Sequence, residues 1–273
     1  MARPPLNKDT MLCISLAARP SNIGTRFHNY LYDRLGIDFL YKAFTTTDIA
    51  AAIGGVRALG IRGCSVSMPF KEDVIALVDH VQDSARAIHS VNTIVNDDGV
   101  LTASNTDYIA IARLIAEHGL RPEQTVLILG SGGMAKAVGS AFRDNGFHDG
   151  IVVARNESAG PELAEKLGYH WRSHVGGASA SIIVNVTPVG MAGGAGEHDT
   201  AFPRETIGAA DTVFDVVALP SETPLITAAR AAGKHVITGA EVIALQAAEQ
   251  FERYTGVRPS PELVAEASAI SRA

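Results

Sequence analysis

A lysine and an aspartate, each placed where a predicted strand gives way to a helix, are the residues best suited to acid–base chemistry. Lys71 follows SVSMPF, in which Pro69 is predicted to end the strand because it has no N–H to donate. Asp107 lies in SNTDYIAI, at a second predicted strand end. Groups on adjacent strand ends can share a hydrogen bond of roughly 3 Å, and hydride transfer from an alcohol needs a group that takes the hydroxyl proton. An ordinary salt bridge is the alternative interpretation of this pair.

Other residue types that often carry chemistry predict no further site. The nine histidines are scattered, and His170 and His174 in HWRSH lack supporting ligands, so we expect a surface pair and no metal. Cys13 and Cys64 stand in apolar runs, a pattern typical of buried free thiols in a reducing compartment.

Composition and charge argue against several classes of partner. The chain has 273 residues, of which 47% are hydrophobic and 19% charged, as in an ordinary globular protein. The formal net charge is −6 and no basic cluster occurs, which argues against nucleic acid and anionic membranes as partners. The first residues lack an apolar signal core, and no run reaches the roughly 18–20 apolar residues of a membrane span. We therefore expect a soluble cytoplasmic protein, either a monomer or a homodimer.

The elements that must position the lysine and the aspartate alternate between short apolar runs and longer amphipathic ones. Predicted strands include MLCISLA, IRGCSVSM and SVNTIVND early in the chain, and TVLILG, GIVVAR and SIIVNVT later. Helical stretches such as TRFHNYLYDRLG and MAKAVGSAFRDNG lie between strands and end at glycine. Strand, helix and strand in repetition indicate an α/β fold with mostly parallel sheets.

The chain is predicted to divide into two domains. The helix YIAIARLIAEHG carries it out of the first sheet, and TVLILGSGGMAKAVGSAF begins a new α/β unit. The last two helices follow each other with no strand between them, and we expect them to return to the first domain. We therefore predict a mostly parallel α/β domain from residues 1–105 and 240–273, and a Rossmann-type dinucleotide-binding domain from residues 106–239.

A glycine-rich turn predicts the dinucleotide site. VLILGSGGMAKAV places Gly130, Gly132 and Gly133 after an apolar strand and before an alanine-rich helix. The first glycine permits the tight turn, the second lets backbone N–H groups approach a pyrophosphate, and Ala135 is the close-packing residue. Arg155 follows the next strand where NAD-type folds carry an acid, and a guanidinium there favours the 2′-phosphate of NADP. A plain βα turn and a solvated arginine are the alternatives.

Taken in order, these motifs resemble those of the shikimate dehydrogenase family over nearly the whole chain. SVSMPFK resembles that family's N-V-T-x-P-x-K, VNTIV and NTDYIA its N-T and N-T-D segments, and GSGGMAKAV its cofactor loop. NVTPVGM is similar to its N-x-T-P-x-G-M, LPSETPLI to its P-x-x-T-P-L, and GAEVIALQAAEQF to its last motif. The resemblance implies an N-terminal substrate domain, a Rossmann-type NADP domain, and reversible reduction of 3-dehydroshikimate to shikimate in aromatic amino acid biosynthesis.

The resemblance also implies roles for individual residues. Lys71 and Asp107 would be the catalytic pair, with Lys71 directed into a cleft between the domains and Asp107 orienting it. The implied substrate contacts are Asn22, Ser67, Asn92 and Gln246. The implied cofactor contacts are Gly130, Ser131, Gly132, Gly133, Met134, Ala135, Arg155, Thr187 and Met191.

The sequence departs from the family pattern where substrate is recognised. NIGTRFHN stands where the family has S-x-S-P-x-x-H-N, so Asn22 and Gly24 replace the two serines that hold the substrate carboxylate. Ser21, Thr25 and Arg26 are candidate substitutes for those donors. Each lost hydrogen bond should weaken binding by roughly 0.5–3 kcal/mol. This pattern resembles the shikimate dehydrogenase-like subgroup, whose members keep the catalytic pair but turn shikimate over poorly.

We therefore expect an NADP-dependent dehydrogenase of shikimate or a close analogue, with slow turnover of shikimate itself. The expected binding partner is a small cyclic polyol carboxylate. Two alternatives stay open. One is a dehydrogenase of another cyclic polyol acid, of the quinate or aminoshikimate type. The other is a non-catalytic NADP-binding sensor, against which the intact Lys71 and Asp107 weigh.

Overall fold

The computed structural model describes residues 3–272, which form alternating strands and helices. The strands are β1 (Met11–Ala17), β2 (Phe39–Thr45), β3 (Gly63–Val66), β4 (His80–Val81), β5 (Thr93–Asp97), β6 (Val100–Ser104), β7 (Val126–Leu129), β8 (Gly150–Val153), β9 (His170–Arg172), β10 (Ile182–Asn185), β11 (Thr212–Asp215) and β12 (His235–Ile237). The helices are α1 (Ile23–Leu35), α2 (Ile49–Ala58), α3 (Asp83–Arg86), α4 (Thr106–Glu117), α5 (Gly133–Asp144), α6 (Ala159–Leu167), α7 (Arg204–Ala209), α8 (Pro224–Ala231), α9 (Gly239–Thr255) and α10 (Pro261–Arg272), with a 3₁₀ helix at Asp73–Leu77. None of the helices within residues 3–272 combines the length and apolar character that crossing a membrane requires.

These elements divide into two compact units. The first contains the described residues up to Ile109 and those from Ala244 onward, and the second contains Ala110–Ile243. The predicted domain boundaries, after residues 105 and 239, each lie four residues before the boundaries between these units. The predicted boundaries fall at the starts of α4 and α9, whereas the first unit extends into α4 and the second unit extends into α9.

The first unit contains a six-stranded sheet in the order β2-β1-β3-β5-β6-β4. Only the pairings of β5 with β3 and β6 are antiparallel, which confirms a mostly parallel α/β sheet. Because β5 runs opposite to its neighbours, the residue before it lies beside the ends of β3 and β6. Val66 N donates to Asn92 O at 2.9 Å, and Asn92 N donates to Ser104 O at 3.2 Å. Asn92 therefore lies at the carboxyl edge of β3 and β6.

Alternation along β1 explains why this sheet is covered on both faces. Cys13 packs with Phe27 and Phe251 on the face covered by α1 and α9, whereas Ile14 packs with Ile53 on the face covered by α2. Successive side chains of a strand point to opposite faces, so apolar residues at consecutive positions fill both. The two cysteines are buried free thiols, as predicted.

Several local predictions are wrong. Strand β3 ends at Val66, three residues before the proline that was expected to end it, and the helix expected to follow near Lys71 is only the short 3₁₀ helix Asp73–Leu77. Strands β4 and β9 are not predicted from the sequence. These strands have two and three residues and lie at the ends of their sheets, so they are too short to show a period-two pattern.

The second unit contains a six-stranded sheet in the order β12-β11-β10-β7-β8-β9, with every pairing parallel. Starting from β7, the chain adds strands first on one side and then, from β10, on the other. Open α/β sheets bind ligands beyond the carboxyl ends of the strands at such a switch point. The strand order confirms the predicted Rossmann-type fold. It also indicates that the ligand site of this unit lies at the loops after β7 and β10.

Candidate active site

Lys71 and Asp107 form an ion pair in the first unit. Lys71 Nζ lies 2.9 Å from Asp107 Oδ2, and the side chains are 28% and 11% exposed. The carbonyl of Lys71 accepts a hydrogen bond from Val91 N at 2.8 Å, which anchors the loop after β3. Asp107 lies in the first turn of α4, where the helix dipole favours a negative charge. The pair is thus held by the backbone on both sides while the ammonium group stays partly accessible.

Asn92 is the polar centre of the same edge. Its Oδ1 accepts hydrogen bonds from Thr106 N at 2.8 Å, from Thr93 Oγ1 at 2.8 Å and from Thr106 Oγ1 at 3.1 Å. Its Nδ2 is buried and has no hydrogen-bond partner among the described residues. An unsatisfied buried N–H group costs about 1–3 kcal/mol, a cost that an oxygen atom of a ligand would remove.

The other predicted substrate residues lie on segments attached to this edge. Ser67 is exposed on the loop that carries the lysine, and its N–H donates to Leu16 O at 2.9 Å. Gln246 is half-buried on α9, one turn before Gln250, whose side chain contacts the Asn92 carbonyl. Asn22 is exposed at the start of α1, and its side chain makes no capping hydrogen bond.

The loop at the start of α1 has no structural requirement for glycine. Gly24 does not have a positive φ, and the atoms nearest to a Cβ added there would be those of the Tyr41 ring and hydroxyl, at 3.5–3.7 Å. Next to it, Thr25 Oγ1 is buried and has no hydrogen-bond partner among the described residues. Asn29 Nδ2 ties this turn to β2 by donating to Thr25 O and Tyr41 O, both at 2.8 Å. Of the three predicted substitutes for the serines, Thr25 is the one with a buried, unused hydroxyl.

In the second unit, the glycine-rich turn joins β7 to α5. Gly130 has φ +127°, and a Cβ there would lie 2.8 Å from Val186 Cγ2, so this position requires glycine. A Cβ at Gly132 or Gly133 would meet nothing within 4 Å, so the turn faces open space. The first turn of α5 contains no acidic residue and no side-chain cap. Its free N–H groups and positive dipole fit a pyrophosphate, and the buried Ala135 packs behind them.

A buried carboxylate links the loops after β10 and β11. Asp215 is fully buried and accepts hydrogen bonds from Asn185 Nδ2 at 3.0 Å, Val217 N at 3.0 Å and Thr223 Oγ1 at 2.7 Å. Asn185 Oδ1 accepts from Thr187 N and Thr187 Oγ1 at 3.0 and 2.6 Å. Burial raises the pKa of Asp215, and the three hydrogen bonds oppose this shift. The network holds the predicted cofactor residue Thr187 in place.

The remaining predicted cofactor residues lie on loops after the strands of this sheet. Arg155 is exposed two residues beyond β8, in a turn where Asn156 Oδ1 accepts from Ser158 N and Ala159 N at 3.0 and 2.9 Å. Ser131 and Met134 flank the two inner glycines and are half-buried, while Met191 is 42% exposed after β10.

Two buried polar residues that organise these sites are not predicted from the sequence. Asp215 carries a weak signal, since it is a lone acid in the apolar strand TVFDVV. Gln250 carries none, because an amide next to charged residues in QAAEQFER is typical of a solvated helix face, whereas it is 3% exposed.

Comparison with known proteins identifies the family. A model of the shikimate dehydrogenase substrate binding domain matches residues 22–94. A shikimate dehydrogenase-like protein of Haemophilus influenzae is 58% identical over 267 residues, which cover 98% of both chains. The chain belongs to the shikimate dehydrogenase family. This membership confirms the resemblance inferred from the ordered motifs and makes the protein a shikimate dehydrogenase-like oxidoreductase.

Other shikimate dehydrogenase relatives extend the comparison to sequence and structure. The shikimate dehydrogenase (NADP(+)) of Pyrococcus abyssi is 36% identical over 243 residues, 87% of this chain and 89% of that protein. A solved shikimate 5-dehydrogenase-like protein has a TM-score of 0.97 at 57% identity and covers 98% of this chain and 100% of its own. The Thermus thermophilus enzyme, solved with NADP(H) and shikimate, has a TM-score of 0.84 at 27% identity, covering 96% and 99%. Quinate dehydrogenase from Corynebacterium glutamicum, solved with NAD, has a TM-score of 0.87 at 25% identity, covering 96% and 98%.

Proposed function

We propose that this protein is an NADP-dependent dehydrogenase that interconverts 3-dehydroshikimate and shikimate, or a closely related cyclic polyol carboxylate. The observation that carries the proposal is the Lys71–Asp107 ion pair at 2.9 Å, at the same sheet edge as Asn92 Nδ2, which has no hydrogen-bond partner among the described residues. Relatives that span nearly the whole chain bear the names of shikimate dehydrogenases, and one is solved with NADP(H) and shikimate, which supports the assignment.

Lys71 carries the proton in this proposal. In the reducing direction its ammonium group donates a proton to the substrate carbonyl oxygen as that oxygen becomes a hydroxyl, and in the oxidising direction the amine takes the proton back. Asp107 accepts a hydrogen bond from Lys71, orients it and stabilises its positive charge. The Nδ2 group of Asn92 donates to a second oxygen of the substrate, and so holds the ring in one orientation.

The second unit supplies the cofactor site. NADP, when bound, supplies the two-electron hydride chemistry. The N–H groups at the start of α5 bind its pyrophosphate, since that turn is open and carries no acidic residue. The exposed guanidinium of Arg155 pairs with the 2′-phosphate. The loop that holds Thr187 and Met191 follows β10, on the other side of the switch point from the glycine turn.

The altered loop at α1 favours a second candidate substrate, an acid of the quinate type. Quinate has a hydroxyl on the carbon that bears its carboxylate, whereas shikimate has a ring double bond there. Thr25 Oγ1, next to Gly24, has no hydrogen-bond partner among the described residues, so the loop has one unused hydroxyl that could bind this additional substrate hydroxyl. The two candidates differ only in the acid that is bound and share the same reaction.

A substrate panel and variants of the ion pair test the function. Shikimate, quinate and an amino analogue are each offered with NADP and with NAD, and turnover is followed by nicotinamide absorbance. Lys71→Ala should lower kcat per folded molecule by about 10²-fold or more, because this is the usual effect of removing an acid–base group. Asp107→Asn should also be slow, and the double variant should be little worse than the slower single one.

Asp79→Asn is the matched control, because Asp79 pairs with Arg57 at 2.7 Å in the same unit. It should change the melting temperature without changing kcat per folded molecule. Unchanged kcat in Lys71→Ala would show that the lysine is not the proton-transfer group. An absence of turnover with every acid of the panel would favour the sensor instead.

A further inference from the structure

Gln250 is a buried amide in the last motif, GAEVIALQAAEQF, and the family resemblance assigns it no role. It lies on α9, 3% exposed, between the apolar residues that this helix packs into the core. Its Nε2 donates to Thr93 Oγ1 at 2.9 Å and to the carbonyl of Asn92 at 3.3 Å. Burying a glutamine side chain is unfavourable unless its polar atoms are paired, so these contacts identify what the residue does.

The chemistry of the partners determines the direction of these hydrogen bonds. The Asn92 carbonyl can only accept, so the NH₂ group of Gln250 must face it. The same NH₂ group donates to Thr93 Oγ1, whose own proton is then directed at Asn92 Oδ1, 2.8 Å away. Asn92 Oδ1 also accepts from Thr106 N at 2.8 Å, and the residue after Thr106 is Asp107.

We propose that Gln250 is a positioning residue of the active site, which ties helix α9 to the Asn92–Thr106 array beside Asp107. The proposal rests on the proposed function and deepens it. Gln246 precedes Gln250 by one helical turn, so the two amides lie on the same face of α9. One anchor therefore sets both the position of Gln246 and the orientation of the free Asn92 Nδ2 group toward the substrate.

The first test replaces the amide with an apolar side chain of similar size. Gln250→Met should lower kcat/KM for the preferred acid about tenfold, mainly through KM, because a buried hydrogen-bond donor is lost from the array that orients the substrate-binding amides. The affinity for NADP should stay within about twofold of the wild type. Asn96→Leu is the matched control, since Asn96 is a buried amide of the same unit that bonds Val56 O and Gly99 N. It should lower stability without changing kcat/KM per folded molecule.

The second test reverses the polarity of the anchor. In Gln250→Glu, a carboxylate would face the Asn92 carbonyl and repel it, whereas the protonated acid could donate as the amide does. The ratio of the variant's kcat/KM to that of the wild type should therefore rise several-fold as the pH falls from about 8 to about 5.5. Asp107, Lys71 and Tyr254 are common to both proteins and cancel in this ratio. His28, next to Gln250 from α1, stays neutral in this range in the wild type because burial lowers its pKa to about 3. A carboxylate at position 250 would raise that pKa, so the ratio is also measured in a His28→Leu background, where the same rise should persist.

Hydrogen–deuterium exchange tests the anchor without any substrate. The segment that contains Thr106 should exchange at least several-fold faster in Gln250→Met and at the wild-type rate in Asn96→Leu. This readout separates the proposal from the proposed function, since a wild-type protein inactive on every acid would leave the exchange result standing. Unchanged exchange at Thr106 in Gln250→Met would overturn the role of Gln250. If the wild type is active, the role is also overturned by a kcat/KM of Gln250→Met within twofold of the wild type, by an equal loss of kcat/KM in Asn96→Leu, or by a ratio for Gln250→Glu that does not change with pH.

Discussion

His28 should make the stability of this protein depend on pH. The ring is fully buried, stacks on Tyr41 with centroids 4.3 Å apart, and has no hydrogen-bond partner at either nitrogen among the described residues. Burial lowers its pKa from 6.5 to about 3, against a smaller opposing contribution from the nearby Gln250 amide. At the pH values where His28 of the unfolded chain begins to bind a proton, the ring in the folded state is therefore still neutral.

The sign and size of the effect follow from proton linkage. Because the folded pKa lies below the unfolded value, the stabilisation is fully present above about pH 6.5 and is lost as the pH falls toward about 3. Between pH 7 and pH 5 the unfolded state gains about 2 kcal/mol relative to the folded state from this one group, at about 1.4 kcal/mol per pKa unit. His28→Leu removes the titrating group, so its free energy of unfolding should fall by about 2 kcal/mol less over that interval.

Urea unfolding at the two pH values measures this difference. Phe27→Leu is the control, because Phe27 is the buried neighbour on the same helix and does not titrate. Its free energy of unfolding should be lower than that of the wild type by the same amount at both pH values. A His28→Leu variant with the wild-type pH dependence would refute the assignment of a neutral, buried imidazole.

Three further variants test the two binding sites. Arg155→Ala should raise the KM for NADP about tenfold or more and leave that for NAD nearly unchanged, since a phosphate–guanidinium contact is lost; equal losses with both cofactors would contradict the 2′-phosphate role. Joint replacement of Asn22 and Gly24 by serine should lower the KM for shikimate, because a Cβ at position 24 meets only ordinary contacts with Tyr41; a low micromolar KM in the unmodified protein would show that the loop already binds the carboxylate. Asp215→Asn should lower the free energy of unfolding by about 1–3 kcal/mol and weaken NADP binding, since the carboxylate accepts three hydrogen bonds; calorimetry that finds unchanged NADP affinity would limit Asp215 to a role in folding.

The sequence by itself determined the family, the α/β class and the Rossmann-type second unit. Each of these depends on local patterns: apolar runs of strand length, glycine at a turn, and motifs in a consistent order. The sequence also predicts that Lys71 and Asp107 come close to each other beyond the carboxyl ends of strands, although Lys71 lies in the loop after β3 and Asp107 in the first turn of α4. The ion pair at 2.9 Å agrees with that interpretation, while its catalytic role stays a prediction.

Only the tertiary structure decided which polar groups are buried and how they pair. Gln250 and Asn92 are 158 positions apart in the sequence. The sequence of α9 around Gln250 is typical of a solvated helix face, and only its packing on the sheet buries this side chain. Strand β5 is antiparallel to its neighbours, and this reversal places Asn92 next to the start of α4. There its side-chain oxygen accepts from Thr106 N, and its side-chain nitrogen has no hydrogen-bond partner in the part of the chain that the structure describes. Hydrogen bonds between distant segments leave no periodic trace in a sequence, because they depend on the partner that folding brings close and not on neighbours along the chain.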